Sequence, residues 1–384
     1  MLGIISCGKT VDPGVVLVDD DDAVEVAFED VATDVKIVPL ISDDPIGGCR
    51  RMLCYGNEVF IADNSGEYVY YFVDGKLVST LHAVGRGPGE YSTVSHFAYS
   101  AKKKELWIAT VGNIDDILNI STMMVMKYSV PDMKYKGRVS VDGLVSSILC
   151  QDGDKILTLG SPLKLSDLTE ESIDTCRIIL SDAETGETIC KLNDVSYYDY
   201  MQSEILVAHG ANMSNNICVC GYVNSLYHYE GDKAEKAFEF TFGDKNIPEK
   251  FFDLGQPTAE ALMGILQYML SEEAHGCLEG GIYPRVDGKR YSFWYHQALS
   301  APYDHFFSYE NGESVNYYGF VPKGMNGSIL PKTVSDDGYV AVVEGDPESM
   351  FDDSGERSEF SAELEKTMKA QHLNNPVLIF YNIK

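Results

Sequence analysis

The sequence predicts an all-β protein, a six-bladed β-propeller built from four-stranded antiparallel blades. From residue 23 onward, short runs of alternating apolar and polar residues recur, and Gly, Asn and Asp turn signals separate them. These runs group in fours at a spacing of about 45 residues, which is the length range of a propeller blade. Tyr (24) and Phe (16) greatly outnumber Trp (2), as suits half-buried pleated surfaces.

The first blade carries the clearest pattern. Its runs are separated by Gly56-Asn57, Asn64-Ser65-Gly66 and Asp74-Gly75, which are strong turn signals. The four predicted strands are Arg51–Tyr55, Glu58–Ala62, Tyr68–Phe72 and Lys76–Leu81. Four short strands joined by such turns form the unit from which a propeller is built.

The next four units repeat this alternation of run and turn without repeating the residues. The second and third blades are predicted over the strands Ser95–Ser100, Glu105–Thr110, Met124–Ser129, Lys134–Ser140, Val145–Gln151, Lys155–Gly160, Cys176–Ser181 and Thr188–Leu192. The fourth and fifth are predicted over Ile205–Ala211, Asn216–Tyr222, Ser225–Tyr229, Lys236–Phe242, Gly281–Val286, Arg290–Tyr295, Phe306–Glu310 and Ser314–Gly319. Between these two blades, Pro257–Glu273 has apolar residues at helical spacing, which predicts a helical insertion on the sheet rim.

The sixth blade has one strand too few in its own part of the sequence. Its predicted strands are Ser328–Val334, Gly338–Val343 and Pro376–Tyr381. A second helix is predicted from about Ser361, because Phe360, Leu364 and Met368 recur every four residues. We expect an early strand, Val35–Leu40 or Ala23–Ala27, to complete the blade, since this closes the ring and removes exposed sheet edges.

The N-terminal residues suggest a leader rather than a part of the propeller. Met1 to Ser6 is short and apolar, and Ile4-Ile5-Ser6-Cys7 is similar to the site at which bacterial lipoproteins are lipidated on cysteine. Four aspartates, Asp19 to Asp22, follow and are expected to form a solvated spacer. We therefore divide the chain into a truncated lipoprotein signal with an acidic spacer, residues 1–22, and a single propeller domain, residues 23–384.

Composition excludes some classes of function. The chain has 30 Lys and Arg against 59 Asp and Glu, a formal charge of −29, so we expect no nucleic-acid partner. Its nine cysteines include no Cys-x2-Cys pair and match no zinc ribbon or finger, so most are expected to be buried thiols. No cofactor is predicted, although a divalent metal, Ca²⁺ or Zn²⁺, is compatible with the charge.

The segment Gly85-Arg86-Gly87-Pro88-Gly89-Glu90-Tyr91 resembles the hallmark of the six-bladed β-propeller lipoproteins of Bacteroides-type bacteria, a family similar in outline to NHL-repeat propellers. Ile61-Ala62-Asp63 before a hairpin, the closing stretch Asn375-Pro376-Val377-Leu378-Ile379 and the lipidation-like start agree with it. The family is largely uncharacterised. The resemblance therefore implies the propeller fold and a location in the cell envelope, lipid-anchored to the outer membrane and facing the periplasm or the cell surface, but no reaction.

The same Gly-rich segment is the first candidate site. It lacks the Gly-Lys-Ser/Thr of a phosphate loop and does not open a helix, so we interpret it as a tight inter-blade connection. In the structural interpretation, Arg86 and Glu90 stabilise the connection by an ion pair. In the functional one, Arg86 stands at the channel mouth and binds an anionic ligand such as a carboxylate or an acidic sugar.

The second candidate site lies in the fifth blade. His296 and the group Tyr303-Asp304-His305 fall near predicted strand ends, where two histidines and an Asp could bind a metal or transfer protons. Tyr283 and Arg285, in the first strand of the same blade, complete the predicted ligand-binding set. Other histidines are scattered over different blades, so no third metal ligand is evident from spacing.

Three functions remain open from the sequence. The first is an envelope propeller that binds a glycan, a peptide or an envelope protein through its loop face or central channel, with tyrosines for stacking. The second is a metal-dependent hydrolase or lyase of NHL-like type with an axial site, for which a convergence of His and carboxylates is expected. The third is a non-catalytic scaffold in an envelope complex. No catalytic set is predicted, because the Gly-x-Ser-x-Gly frame of a serine hydrolase is lacking and 59 acidic residues offer too many carboxylate pairs.

Overall fold

The six sheets of the protein are seen in a computed structural model. It describes residues 14–94, 96–111, 122–142, 144–151, 153–161, 176–194, 213–214, 217–219, 225–230, 233–246, 267–268, 271, 278–297, 304–351, 356–371, 373 and 375–384. Each sheet is one blade with four antiparallel strands, which follow in sequence order in five blades, while the fourth strand of the last blade comes from the N-terminal segment. The predicted fold class is therefore confirmed.

The first four elements of the chain belong to blades that are completed much later. They are β1 (Val16–Leu17), β2 (Val24–Ala27), the single helical turn α1 (Phe28–Val31) and β3 (Ala32–Pro39). Between them they pair with three different sheets, as described below.

Blades 1 and 2 follow the predicted strands within two residues at each end. Blade 1 consists of β4 (Arg51–Tyr55), β5 (Glu58–Ala62), β6 (Tyr68–Val73) and β7 (Lys76–His82). Blade 2 consists of β8 (His96–Ser100), β9 (Glu105–Val111), β10 (Thr122–Ser129) and β11 (Tyr135–Asp142). The turn at Asp74-Gly75 has both residues at positive φ, 49° and 75°, which explains the short Asp-Gly hairpin.

Blade 3 also follows the prediction, but blade 4 differs in its first strands. Blade 3 consists of β12 (Leu144–Gln151), β13 (Lys155–Ser161), β14 (Cys176–Asp182) and β15 (Thr188–Asp194). Blade 4 consists of β16 (Met213–Ser214), β17 (Ile217–Val219), β18 (Ser225–Glu230) and β19 (Lys233–Thr241). The predicted strand Ile205–Ala211 lies outside the described residues, as does nearly all of the predicted helix Pro257–Glu273.

Blades 5 and 6 contain the longest strands and the C-terminal helices. Blade 5 consists of β20 (Leu278–Asp287), β21 (Arg290–Gln297), β22 (Asp304–Glu310) and β23 (Glu313–Val321). Blade 6 consists of β24 (Pro331–Ser335), β25 (Gly338–Val343), β26 (Val377–Ile383) and β3, with α2 (Pro347–Met350) and α3 (Glu359–Ala370) between β25 and β26. The second predicted helix is thus present, and Leu364 and Met368 are buried on its inner face.

The first strand of each blade faces the centre of a closed ring. The six first strands contact one another in cyclic order, from blade 1 round to blade 6 and back to blade 1. At one face of the ring, strands 1 and 2 and strands 3 and 4 of each blade are joined by short turns; we call this the hairpin face. At the opposite face, the connection face, the strand ends are joined by long stretches, among them residues 112–121, 162–175, 195–212, 242–277 and 344–376.

The N-terminal segment lies along the outer edges of four blades, and we call residues 16–41 the girdle. β1 pairs parallel with β19 of blade 4, β2 pairs parallel with β23 of blade 5, and β3 pairs antiparallel with β26 to complete blade 6. Ile41 then forms a parallel bridge with Lys76 at the outer edge of blade 1. Both candidate closing segments are therefore used. β3 completes blade 6 and closes the ring, and β2 extends the outer edge of blade 5.

Contact with the propeller begins before residue 23, where the sequence analysis placed the start of the domain. Within the predicted solvated spacer, Asp20 accepts a hydrogen bond from Nζ of Lys245 at 2.9 Å, and its side chain is only 16% exposed. The carbonyl of Asp19 accepts a hydrogen bond from Asn316 at 2.8 Å. Because the Asp20 carboxylate binds Lys245, it is held against the propeller rather than solvated. Part of the predicted spacer therefore belongs to the girdle.

Candidate functional site

The Gly-rich segment predicted from the sequence is the connection between blades 1 and 2. The N–H of Gly85 donates to the carbonyl of Tyr91 at 3.0 Å, and the N–H of Tyr91 donates to the carbonyl of Ala83 at 2.9 Å, so the segment folds back on itself. Tyr91 is 1% exposed, and its hydroxyl donates to the carbonyl of Glu67 in the β5–β6 hairpin at 2.8 Å. The segment therefore joins two blades through a buried tyrosine.

The ion pair expected within this segment does not form. Arg86 and Glu90 are both exposed, and no ion pair joins them in the described structure. Instead, the carboxylate of Glu90 accepts a hydrogen bond from the N–H of Gly87 at 2.6 Å. A side chain on Gly85 would stand 2.0 Å from this carboxylate, so the glycine is required for the carboxylate to fold over the loop.

Basic side chains begin the first strands of three adjacent blades at the connection face. Arg51 is the first residue of β4, His96 is the first of β8, and Lys332 is the second of β24. Arg50 directly precedes β4, and its Nη1 would be 3.0 Å from a Cβ on Gly66 in the neighbouring hairpin. Because the six first strands surround the axis, these side chains lie on one half of the channel mouth; we call Arg50, Arg51, His96 and Lys332 the mouth cluster.

Arg51 is the central and most buried cation of the mouth cluster. Burial, and then the charge of Arg50, lowers the pKa of its guanidinium to about 10. Its Nε is buried without a hydrogen-bond partner, and its side chain forms no ion pair with any described residue. Arg50 likewise has no carboxylate partner in the described part of the chain. Within the described residues, the two arginines thus have no counter-ion in a protein whose formal charge is −29.

Tyr283 and Asp304, two of the predicted site residues, lie next to this cluster. Burial, and then the carboxylate of Asp304, raise the pKa of Tyr283 to about 12, while the charge of Arg51 opposes the rise. Tyr283 has φ 51°, in a strand whose pairing with β21 shifts register twice. The left-handed conformation of a bulky residue is uncommon and concentrates at functional sites.

His305, another predicted residue of blade 5, does not join them. Asp304 and His305 are adjacent in β22, so their side chains point to opposite faces of the sheet. His305 is buried and stacks on Tyr295 with ring centroids 4.7 Å apart, and its Nε2 is 3.4 Å from Asp20 of the girdle. The imidazole therefore helps to hold the girdle.

Of the remaining predicted residues, only Arg285 has a described side-chain environment. It lies toward the hairpin-face end of β20, away from the mouth cluster. The backbone of His296 pairs with Asp304 and Glu279, and Tyr303 lies outside the described residues, as does Cys7. Among the described residues, no three His, Cys, Asp or Glu side chains are close enough together to hold a metal ion.

The mouth cluster was not predicted from the sequence. A signal did exist, since Arg50-Arg51 is a pair of adjacent arginines at the start of a predicted first strand in a strongly acidic chain. Such a pair alone does not predict a site, because a charge at a strand end is ordinarily solvated. Only the ring closure brings the starts of β24, β4 and β8 together.

His96 makes the stability of the protein depend on pH. Burial, and then the charges of Arg51 and Arg50, hold the pKa of the His96 imidazole well below 6.5. Below about pH 6.5 the unfolded chain binds a proton that the folded protein excludes, so the free energy of unfolding falls on acidification by at most about 1.4 kcal/mol per pH unit. Urea unfolding at about pH 7.5 and pH 5.5 should show a smaller difference for His96→Gln than for the unaltered protein. An equal pH dependence in both proteins would contradict this role.

The ring of six four-stranded blades defines the protein as a six-bladed β-propeller. Residues 8–263 match the family model DUF5128, described as a 6-bladed beta-propeller, and the chain belongs to that family. No curated protein matches the chain.

Two solved structures of low sequence identity are similar to this chain. A protein of Bacteroides fragilis NCTC 9343, described as exported, is similar with a TM-score of 0.68 and 15% identity, covering 96% of this chain and 99% of its own. A member of the DUF4221 family from Bacteroides vulgatus is similar with a TM-score of 0.47 and 11% identity, covering 92% and 98%. At 15% identity, the similarity to the Bacteroides fragilis protein supports the fold alone.

Proposed function

We propose that this protein is a binding protein of the cell envelope that recognises an anionic ligand, the carboxylate of an acidic glycan or peptide, at the mouth of its central channel. One observation carries the proposal: Arg50 and Arg51, whose charges interact, both lie at the start of β4 and have no carboxylate partner among the described residues. Guanidinium groups bind carboxylates through paired, charge-assisted hydrogen bonds.

The surroundings strengthen such an interaction. Arg51 is partly removed from solvent, which its lowered pKa reflects, and a charge pair formed there is screened less than one on open surface. His96 and Lys332 extend the basic region to the two neighbouring blades, while Tyr283 supplies a phenol next to Arg51. The long connections of the same face offer further contacts, as loops on a rigid scaffold commonly do.

An extracytoplasmic location is part of the proposal. It is supported by the similarity to a Bacteroides protein described as exported and by the lipidation-like sequence at Cys7. In the described part of the chain, none of the helices has the length and apolar character needed to span a bilayer. A lipid on Cys7 would hold the propeller at the outer membrane through the residues that precede the girdle.

The test compares acidic and neutral ligands of equal length. We expect an oligogalacturonate to bind in isothermal titration calorimetry and a neutral galacto-oligosaccharide not to bind. Arg51→Ala should weaken binding by about 10- to 100-fold, because one charge-assisted pair contributes about 1.5–3 kcal/mol. An acidic peptide and its amidated form give the same comparison for a peptide ligand.

The matched control is Arg138→Ala. Arg138 is an exposed arginine of β11, at the outer edge of blade 2, so its loss removes the same charge at a distance from the axis. Binding that is unchanged in Arg51→Ala, or reduced equally in Arg138→Ala, would show that net charge rather than the mouth cluster attracts the ligand.

A further inference from the structure

The two arginines of the mouth cluster have different surroundings. Arg51 is half-buried, and its charge acts on Tyr283 in β20, the innermost strand of blade 5. Arg50 is exposed, and its Nη1 lies against the β5–β6 hairpin, where a Cβ on Gly66 would stand 3.0 Å away. The Arg51 guanidinium therefore lies on the side of the channel, whereas the Arg50 guanidinium lies at the boundary between blades 1 and 2.

Hydroxyl side chains lie beside Arg50 at this boundary. Thr93 Oγ1 would stand 2.5 Å from the same Cβ on Gly66, and it donates to the Gly66 carbonyl at 3.4 Å. The preceding residue, Ser92, is exposed, and its Oγ is 3.2 Å from Thr110 Oγ1. A hydroxyl group both donates and accepts hydrogen bonds, so these side chains can bind the hydroxyl groups of a sugar.

The buried carboxylate of the β5–β6 hairpin does not neutralise Arg50. Asp63 is 5% exposed, and its Oδ2 accepts a hydrogen bond from Ser65 Oγ at 2.6 Å. Its Oδ1 accepts from the N–H groups of Glu67 and Tyr68, both at 3.1 Å. These hydrogen bonds hold the carboxylate within its own hairpin, so Arg50 stays available to an anion from solvent.

We infer, resting on the function proposed above, that the mouth binds an acidic oligosaccharide by the carboxylates of two different sugar units. Arg51 pairs with one carboxylate, and Arg50 pairs with that of a neighbouring unit. Guanidinium groups at different parts of the connection face cannot both pair with one carboxylate. A chain with a carboxylate on every unit therefore satisfies them better than a monosaccharide does.

The hydroxyl groups at the boundary favour a sugar chain over an acidic peptide. Thr93 and Ser92 can bond to the hydroxyl groups of the unit that Arg50 holds. A polyglutamate chain offers the same succession of carboxylates but no hydroxyl groups. Triglutamate is therefore the peptide ligand against which the sugar chain is compared.

The test compares galacturonic acid with trigalacturonate by isothermal titration calorimetry. Three equivalent carboxylates alone would favour the trimer about threefold, whereas two linked contacts should favour it at least about thirtyfold. Arg50→Ala should return this ratio to about threefold, because only Arg51 then remains to pair with a carboxylate. Arg138→Ala, the control arginine at the outer edge of blade 2, should keep the full ratio.

A pair of glycine variants tests the position of Arg50 without removing its charge. Gly66 and Gly56 both have positive φ, 72° and 57°, so alanine strains the backbone at either position. Only the Cβ at Gly66 collides with Arg50 and Thr93, because nothing lies within 4 Å of a Cβ on Gly56. Gly66→Ala should therefore lower the preference for the trimer, and Gly56→Ala should preserve it.

Four results would overturn this binding mode while leaving the proposed function intact. They are a trimer preference no larger than the statistical ratio, a full preference in Arg50→Ala, equal effects of Gly66→Ala and Gly56→Ala, and binding of triglutamate as tight as that of trigalacturonate. If none of the three ligands binds to the unaltered protein, the proposed function is wrong as well.

Discussion

Removal of residues 1–39 is expected to abolish folding of the propeller. The deletion takes away β3, so β26 becomes an edge strand, and five of its seven residues are buried in the intact protein. It also removes β1, β2 and α1 from the outer edges of blades 4 and 5. Loss of the buried Phe28 side chain alone is expected to lower the free energy of unfolding by about 3–5 kcal/mol. The total loss is expected to exceed the free energy of unfolding of a typical domain, about 5–15 kcal/mol.

The measurement is the yield of soluble monomer by size-exclusion chromatography, followed by a thermal melt. An exposed apolar edge favours aggregation, so the truncated protein should be insoluble or elute as large species. Removal of residues 1–13 is the control, because every pairing of the girdle remains, and this protein should fold. A soluble 40–384 protein with a cooperative melt close to that of the control would show that the ring closes without the girdle.

The strands of blade 1 could be predicted almost residue by residue, because their signals are local. The turns Gly56-Asn57 and Asp74-Gly75 fix the hairpin positions, and apolar and polar residues alternate along the strands on either side. The girdle could not be predicted in the same way. β1 and β2 pair parallel with strands more than two hundred residues away, and such pairing has no turn between its partners. Two candidate closing strands therefore remained from the sequence, and the structure contains both.

The candidate site was harder to predict, for two separate reasons. Asp304 and His305 are neighbours in a strand, and the alternation of side chains alone could have shown that they face different surroundings. The mouth cluster depends instead on three strand starts that are distant in sequence, β24, β4 and β8. No local pattern links Lys332 to Arg51 or His96. They come together only because the ring closes. The sequence predicted this closure, but not which strand residues it brings together.

Phe28→Ala is expected to lower the free energy of unfolding by about 3–5 kcal/mol, the range for a buried phenylalanine. Phe28 is 1% exposed, and its ring lies 4.8 Å from Phe360 of α3 and 5.2 Å from Tyr381 of β26. It therefore ties the girdle, the C-terminal helix and blade 6 to one core. A ring lost from this position leaves a cavity that three separate elements would have to shift together to fill.

Urea unfolding followed by tyrosine and tryptophan fluorescence measures the change, with Val24→Ala as the matched control. Val24 lies in β2 of the same girdle but is 56% exposed, so its truncation should cost less than about 0.5 kcal/mol. A loss for Phe28→Ala that is no larger than that for Val24→Ala would mean that the girdle lies loosely on the blades. A loss within the expected range would show that the Phe28 ring anchors the girdle, because the substitution leaves the backbone pairings of β2 and β3 unchanged.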